Sequence, residues 1–182
     1  MKQEYTITVF TENHIGLLNR ITINFTRRSV NIESLTVSES AIKGIHKFTI
    51  VVSEFEEKVD KVVKSIEKQV EVLKAFYHAN DDIIHQEIAL YKVSTEALLE
   101  SSNIEKTVRK HNARILEVTK EYTVIEKTGH KDETTKLFFE LKSIAGVKQF
   151  TRSGRISITK NKTELLSEYL RAKDLIDAQL GE

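Results

Sequence analysis

The sequence contains no cysteine and almost no net charge, and both absences exclude classes of function. Its 182 residues carry 28 basic and 27 acidic side chains, for a formal net charge of +1. Without cysteine the chain forms no disulfide, thiolate metal site or cysteine nucleophile, which fits a reducing compartment. The balanced charge gives no electrostatic reason to bind nucleic acid or an anionic membrane. Short basic runs such as Arg27–Arg28 are typical of solvated helix faces.

Long hydrophobic runs are also missing. No stretch approaches the ~18 consecutive apolar residues of a membrane-spanning helix. The first residues, Met1–Tyr5, lead into an alternating segment rather than the apolar region of a signal peptide. Apolar residues make up 40% of the chain and charged residues 30%, as in an ordinary folded domain. We therefore expect a cytoplasmic protein.

The common catalytic motifs are absent too. The sequence has no Gly-x-Ser-x-Gly nucleophile elbow, no Gly-x-x-x-x-Gly-Lys phosphate loop and no Gly-x-Gly-x-x-Gly dinucleotide motif. The six histidines are dispersed, and His78 and His85, which flank an inferred linker, are far more often surface residues than metal ligands. Adjacent acids such as Asp81 and Asp82 diverge on regular elements. We therefore predict no catalytic residue and no metal site.

The first 79 residues alternate between strand and helix patterns. Strand patterns occur over 5–10, 31–37, 45–52 and 71–77. Apolar residues at helical spacing run from Leu17 to about Arg28 and from Phe55 to Val70. The resulting order, βαββαβ, is that of a ferredoxin-like fold, in which two helices cover one face of an antiparallel sheet.

The same order recurs with weaker signals after the polar turn Asn80–Asp82. Strands are predicted over 87–93, 115–118, 122–125 and 147–152, and helices around 98–108 and 137–144. Ser153–Gly154 predicts a tight hairpin that joins strand 147–152 to a strand over 155–158. The fold class is therefore α+β, with two tandem ferredoxin-like βαββαβ domains. Their predicted limits are 1–79 and 83–160, followed by a C-terminal helix over 161–182.

The junction between the first strand and the first helix is the best candidate binding site. The first N–H groups of a helix lack intrahelical partners and lie at the positive end of the helix dipole, so they can hold a carboxylate. Asn13 offers a donor and an acceptor suited to a zwitterion, and Gly16 would let the backbone approach a ligand closely. Asn13 is also explained as an ordinary N-cap and Gly16 as an ordinary turn residue. The residues alone leave both explanations open and favour the ordinary one.

Two motifs in this region resemble a known family. Residues 12–21, Glu-Asn-His-Ile-Gly-Leu-Leu-Asn-Arg-Ile, and residues 31–37, Asn-Ile-Glu-Ser-Leu-Thr-Val, resemble the start of acetohydroxyacid (acetolactate) synthase small subunits. Many ACT domains share the first motif, whereas the second is much more specific to this family. Phe150–Gly154 resembles the family's Arg-Ser/Thr-Gly hairpin near the C-terminus.

The resemblance implies a non-catalytic regulatory subunit whose first domain is an ACT domain. Members of the family form dimers through their ACT domains, bind valine or a related branched-chain amino acid at that interface, and activate a separate catalytic subunit. That partner uses thiamine diphosphate, magnesium and FAD, so no cofactor is expected in this chain. The valine-binding residues carried over from the family are Asn13, His14, Ile15, Gly16, Leu17 and Asn31. Asn31 is expected to reach the site across the dimer.

The sequence departs from the family pattern at two places. His14–Ile15 stands where the family commonly has Pro or Ser before the glycine, and Ser29–Val30 replaces the usual Gly-Tyr or Gly-Phe before Asn31. A Cβ at a position where glycine is common predicts that this helix-to-strand corner differs in detail. An alternative function is a stand-alone tandem ACT protein that senses an amino acid and controls transcription or another enzyme. The 31–37 motif favours the regulatory subunit.

Overall fold

The computed structural model describes residues 1–100, 102–161 and 166–171. In this part of the chain no helix is long and apolar enough to cross a membrane. The chain divides into two compact units, one of residues 1–84 with the described residues from Ser157 onward, and the other of His85–Ile156. The predicted second domain, 83–160, extends past this boundary by residues 157–160. These residues group with the first unit, where Lys47 Nζ donates to the Ser157 carbonyl at 2.7 Å and the Lys160 N–H donates to the Asp82 carbonyl at 3.0 Å.

The first unit has the predicted βαββαβ order. Its elements are β1 (Gln3–Glu12), α1 (Leu17–Thr26), β2 (Ser34–Glu39), β3 (Ile45–Glu54), α2 (Glu56–Glu67) and β4 (Val72–Ala79). The sheet is antiparallel with strand order β2-β3-β1-β4, which is the ferredoxin-like arrangement. The strand predicted over 31–37 begins later, at Ser34.

The core of the first unit follows from the alternation of apolar residues in the strands and their helical spacing in the helices. Alternate residues of β1 face the helices, and Ile7 and Val9 are fully buried opposite Ile50 and Phe48 of β3. The helix α2 buries one face, made of Val59, Val62, Val63 and Ile66. Burying each such side chain stabilises the fold by roughly 1.5–3 kcal/mol, so strand alternation and helix periodicity together specify which faces meet.

The second unit repeats the βαββαβ order. Its elements are β5 (Ile83–Ser94), α3 (Thr95–Glu100), α4 (Ser102–Lys110), β6 (Arg114–Val118), β7 (Tyr122–Gly129), α5 (Lys131–Ile144) and β8 (Val147–Arg152). The last strand, β9 (Ile156–Thr159), follows at the unit boundary, since its residues from Ser157 onward group with the first unit. The sheet order is β6-β7-β5-β8, and β9 also pairs with β5. The α+β class and the two ferredoxin-like repeats are confirmed. Residues 166–171 of the predicted terminal helix are helical, and 162–165 and 172–182 lie outside the described residues.

The predicted hairpin between β8 and β9 is wrong, because both strands pair with β5. Ser153 fastens the connection between them to the same strand. Its N–H donates to the Ile88 carbonyl at 2.9 Å, and its Oγ accepts from the Ile88 N–H at 3.0 Å. A Ser-Gly turn signal marks where a strand is interrupted, but it does not specify the partner of either half.

The apolar stripe predicted for residues 98–108 is only partly correct. Ile104 and Val108 are buried, but Leu99 is 80% exposed. Leu99 therefore lies outside the core of the second unit, whereas Leu98 packs against that core.

The helix-to-strand corner after α1 contains a residue in an uncommon conformation. Ser29 has φ 51°, in the left-handed region that glycine favours. The added Cβ therefore does not prevent the corner from adopting a glycine-like backbone. For an L-residue with a Cβ this conformation costs roughly 1–2 kcal/mol.

Ser29→Gly should therefore raise the free energy of unfolding by about 1 kcal/mol, because glycine adopts this backbone without a steric penalty. The matched control is Ser53→Gly on the exposed side of β3, where glycine should lower stability by roughly 0.5–1 kcal/mol. Urea unfolding of both variants measures the two signs. Equal destabilisation by both changes would contradict the strain at Ser29.

Candidate functional site

The loop that joins β1 to α1 is held in place from two sides. The Glu12 N–H donates to the Glu71 carbonyl at 3.0 Å, and the Asn13 N–H donates to the Gly44 carbonyl at 3.2 Å. These bonds tie the loop to the start of β4 and to the connection between β2 and β3. Arg20 adds an ion pair with Glu71 at 2.6 Å. The Glu71 backbone N–H, followed by Arg20, holds the pKa of the Glu71 carboxyl below its ordinary value.

The start of α1 is not capped by a side chain. The N-cap residue is Gly16, with φ 83° and ψ −3°, and no side-chain hydrogen bond closes the cap. The first turn also contains no acidic residue. Asn13 is therefore not the ordinary N-cap that the sequence allowed, and the positive end of the α1 dipole has no carboxylate from its own helix.

The left-handed backbone conformation at position 16 favours glycine, and no neighbouring atom excludes a larger side chain. A Cβ built on Gly16 meets no atom within 4 Å. The predicted close approach concerns a ligand and stays a prediction. The left-handed φ is the physical reason for the residue type.

A concavity of about 150 Å³ opens at this helix start. One part of its wall is apolar, from Leu17, Leu18, Val37 and Phe48, and another part is polar. Such a site suits a small molecule with a charged end and a short apolar side chain. The lining residues are Thr11, Glu12, Asn13, His14, Gly16, Leu17, Leu18, Val37, His46 and Phe48.

The structure brings together four of the six predicted ligand residues, Asn13, His14, Gly16 and Leu17. Two lie elsewhere. Ile15 is fully exposed and does not line the concavity, and the exposed Asn31 donates from Nδ2 to Glu33 Oε1 of its own chain at 3.0 Å. Leu17 contributes as an apolar wall, since it is 3% exposed and belongs to the core.

Six lining residues were not predicted as ligand contacts: Thr11, Glu12, Leu18, Val37, His46 and Phe48. Val37 ends the second sequence motif, so a weak signal existed for it. His46 and Phe48 reach the site only through strand register, because β3 pairs His46 with Thr11 and Phe48 with Val37. No pattern local to residues 46–48 indicates this.

The polar groups of the site differ in how they are satisfied. His14 Nε2 lies 3.0 Å from Glu12 Oε2, and both side chains are about half exposed. Thr11 is fully buried, and its Oγ1 has no hydrogen-bond partner among the described residues. A buried hydroxyl without a partner destabilises the fold by roughly 1–3 kcal/mol. The Thr11 hydroxyl beside the concavity therefore lowers the stability of the first unit.

The second unit contains a buried polar network that is structural. Arg152 Nη1 lies 3.3 Å from Glu87 Oε1, which also accepts from Thr134 Oγ1 at 2.6 Å. The Tyr91 hydroxyl donates to the Thr134 carbonyl at 2.7 Å. Burial, with the Glu87 charge second, raises the pKa of Tyr91. These groups satisfy one another inside the unit, and no group of three or more potential metal ligands occurs among the described residues.

Two family models match most of the chain. The model described as AHAS small subunit-like ACT domain matches residues 7–74, and the model described as small subunit of acetolactate synthase matches residues 86–161. These matches confirm the resemblance found in residues 12–21 and 31–37. They also confirm that the first ferredoxin-like unit is an ACT domain.

Individual relatives agree with the family models. The acetolactate synthase small subunit of Bacillus subtilis is 36% identical over 155 residues, which cover 85% of this chain and 88% of that protein. The corresponding protein of Mycobacterium leprae is 34% identical, over 86% of this chain and 91% of its own length. The crystal structure of the acetolactate synthase small subunit from Thermotoga maritima shares the fold. Its TM-score is 0.79 at 24% identity, covering 88% of this chain and 99% of that one.

Thr11→Val should raise the free energy of unfolding by about 1 kcal/mol, because it replaces the unpartnered hydroxyl by a methyl group of similar size. Thr134→Val is the matched control, since it removes a hydroxyl that donates to Glu87. The control should lower stability by roughly 1–3 kcal/mol. Urea unfolding of the two variants gives the signs, and a loss of stability in Thr11→Val would show that its hydroxyl has a partner.

Proposed function

The chain belongs to the family of acetolactate synthase small subunits, which are regulatory subunits, and we propose that it activates a catalytic subunit and confers feedback inhibition by valine. The observation that carries the valine proposal is the α1 N-terminus without a side-chain cap, beside a concavity with an apolar wall. A branched-chain amino acid has the matching chemistry, a carboxylate and an ammonium next to a short apolar side chain. The proposal assigns no catalytic group to this chain.

In the proposed complex the valine carboxylate accepts hydrogen bonds from the first N–H groups of α1. The helix dipole favours the negative charge there. The Asn13 amide oxygen accepts from the ammonium group. The isopropyl group lies against the apolar wall of Leu17, Leu18 and Val37, whose apolar surface is removed from water on binding.

We also propose that two copies of the chain pair through the ACT units around this site. β2 is an outer strand of its sheet. Exposed apolar side chains lie on it and at the start of α1: Val37 is 39% exposed, Leu18 48% and Ile15 104%. Pairing would cover these side chains and the strand edge. Asn31 does not line the concavity of its own chain. Pairing would bring Asn31 of the partner subunit to it.

The proposed partner is an acetolactate synthase catalytic subunit that carries thiamine diphosphate, magnesium and FAD. The small subunit would bind none of these cofactors itself. The experiment is an assay of acetolactate formation from pyruvate with each subunit alone and with both together. The full chain alone should form no acetolactate and should raise the rate of the catalytic subunit; turnover by the chain alone would overturn the proposal.

Asn13→Ala and Asn31→Ala should each desensitise the assembled enzyme to valine while sparing activation. A hydrogen bond to a charged ligand group contributes roughly 1.5–3 kcal/mol. Its loss should therefore raise the half-inhibition concentration roughly ten- to a hundredfold. Valine titrations at saturating small subunit separate the maximal rate from the half-inhibition concentration.

The matched control for this titration is Asn19→Ala, since Asn19 is exposed on α1 and does not line the concavity. Its half-inhibition concentration should equal that of the unmodified chain. An unchanged value in Asn13→Ala and Asn31→Ala would remove the proposed site. Loss of activation together with inhibition would show that these asparagines are structural.

The full chain should be a dimer at micromolar concentration, and Val37→Lys should shift it toward the monomer by placing two charges in the proposed interface. Val70→Lys is the control, because Val70 is 94% exposed and lies on the connection between α2 and β4. Light scattering coupled to size exclusion measures both. A monomer in the presence of valine would refute the proposed pairing.

A further inference from the structure

A second concavity lies between the two helices of the first unit and is lined mainly by cations. Its volume is about 290 Å³. Four of its five lining residues are basic, although the whole chain has a net charge of only +1. The residues of this basic groove are Arg28, Lys61, Lys64, Ser65 and Lys68.

The base of the basic groove is a fixed contact between the helices. Asn24 of α1 is 5% exposed, and its Nδ2 donates to the Arg20 carbonyl at 2.7 Å. Its Oδ1 accepts from Ser65 Oγ at 2.9 Å. This contact holds α1 and α2 together where the four basic side chains meet.

Arg28 is half-buried and oriented by the same segment. Its Nη1 donates to the Asn24 carbonyl at 3.3 Å. Among the described residues, no carboxylate lies within ion-pair distance of Arg28, Lys61 or Lys68, whereas Lys64 pairs with Asp60 at 2.8 Å. Within the described part of the chain, the groove therefore contains an oriented guanidinium, most of whose donors have no acceptor, and two more cations without a counter-charge.

Ordinary helix electrostatics explains only part of this arrangement. Lysines near the end of α2 interact favourably with the negative end of its dipole. That effect does not explain why Arg28, which follows α1, is placed among them. Like charges at this spacing repel and destabilise the protein unless an anion joins them.

We infer that the basic groove is a binding site for a small phosphate-bearing anion. The planar guanidinium of Arg28 can donate two parallel hydrogen bonds to one phosphate group. The ammonium groups of the lysines, on flexible side chains, can pair with a second phosphate group. The volume admits a molecule of the size of pyrophosphate. The site uses residues of the first unit alone and does not depend on the proposed response to valine.

The experiment titrates the full chain with inorganic pyrophosphate in magnesium-free buffer. Calorimetry gives the dissociation constant, and backbone amide NMR shifts locate the site. The expected result is saturable binding with shifts at residues 28, 61, 64 and 68, weakened by added salt. Arg28→Gln should weaken binding roughly ten- to a hundredfold, the loss typical of a charge-assisted bidentate contact.

Arg27→Gln is the matched control, since Arg27 is the adjacent arginine, is exposed and does not line the groove. It should bind pyrophosphate within about twofold of the unmodified chain, as a surface charge contributes little. Equal losses in Arg27→Gln and Arg28→Gln would overturn the inference in favour of diffuse attraction. So would an absence of saturable shifts in the groove, or tighter binding of a glutamate-rich peptide than of pyrophosphate, which would assign the surface to an acidic protein segment.

Discussion

The antiparallel register of β1 and β3 is the constraint on which the first unit depends. It sets Ile7 opposite Ile50 and Val9 opposite Phe48, so the apolar positions of both strands face the two helices. Because side chains alternate along a strand, a slip of one residue would turn this entire set to the opposite face. The same register sets Thr11 opposite His46. The lining of the proposed effector site and the packing of the core therefore depend on the same strand register.

The helix α1 links the proposed effector site to the basic groove. Its ten residues, Leu17–Thr26, span roughly 15 Å at about 1.5 Å per residue. At its N-terminus the backbone N–H groups and the helix dipole attract a carboxylate without any cationic side chain. Beyond its C-terminus the exposed carbonyls disfavour an anion, so cations from both helices are needed there. Helix polarity thus gives a physical reason for proposing backbone groups at the first site and Arg28 with three lysines at the second.

Prediction from the sequence succeeded where conformation depends on neighbours in the chain. The buried face of α2, the alternation in β1 and the position of Asn13 and Gly16 at a strand-to-helix junction all follow from local spacing. Prediction failed where the structure depends on pairing or packing between segments that are distant in the sequence. The Ser153 turn lies between two strands that both pair with β5, and Leu99, which the predicted helical stripe included, is exposed.

The sequence by itself determined the order of the elements, the family and the loop that begins the proposed effector site. These depend on residue types within one or two turns of chain, such as the 31–37 motif and the glycine at position 16. Only the tertiary structure decided that His46 and Phe48 line this site, that Asn31 does not line it in its own chain, and that Arg28 meets Lys61, Lys64 and Lys68. The physical reason is that strand register and helix packing join residues far apart in the chain, and no local period encodes those pairings.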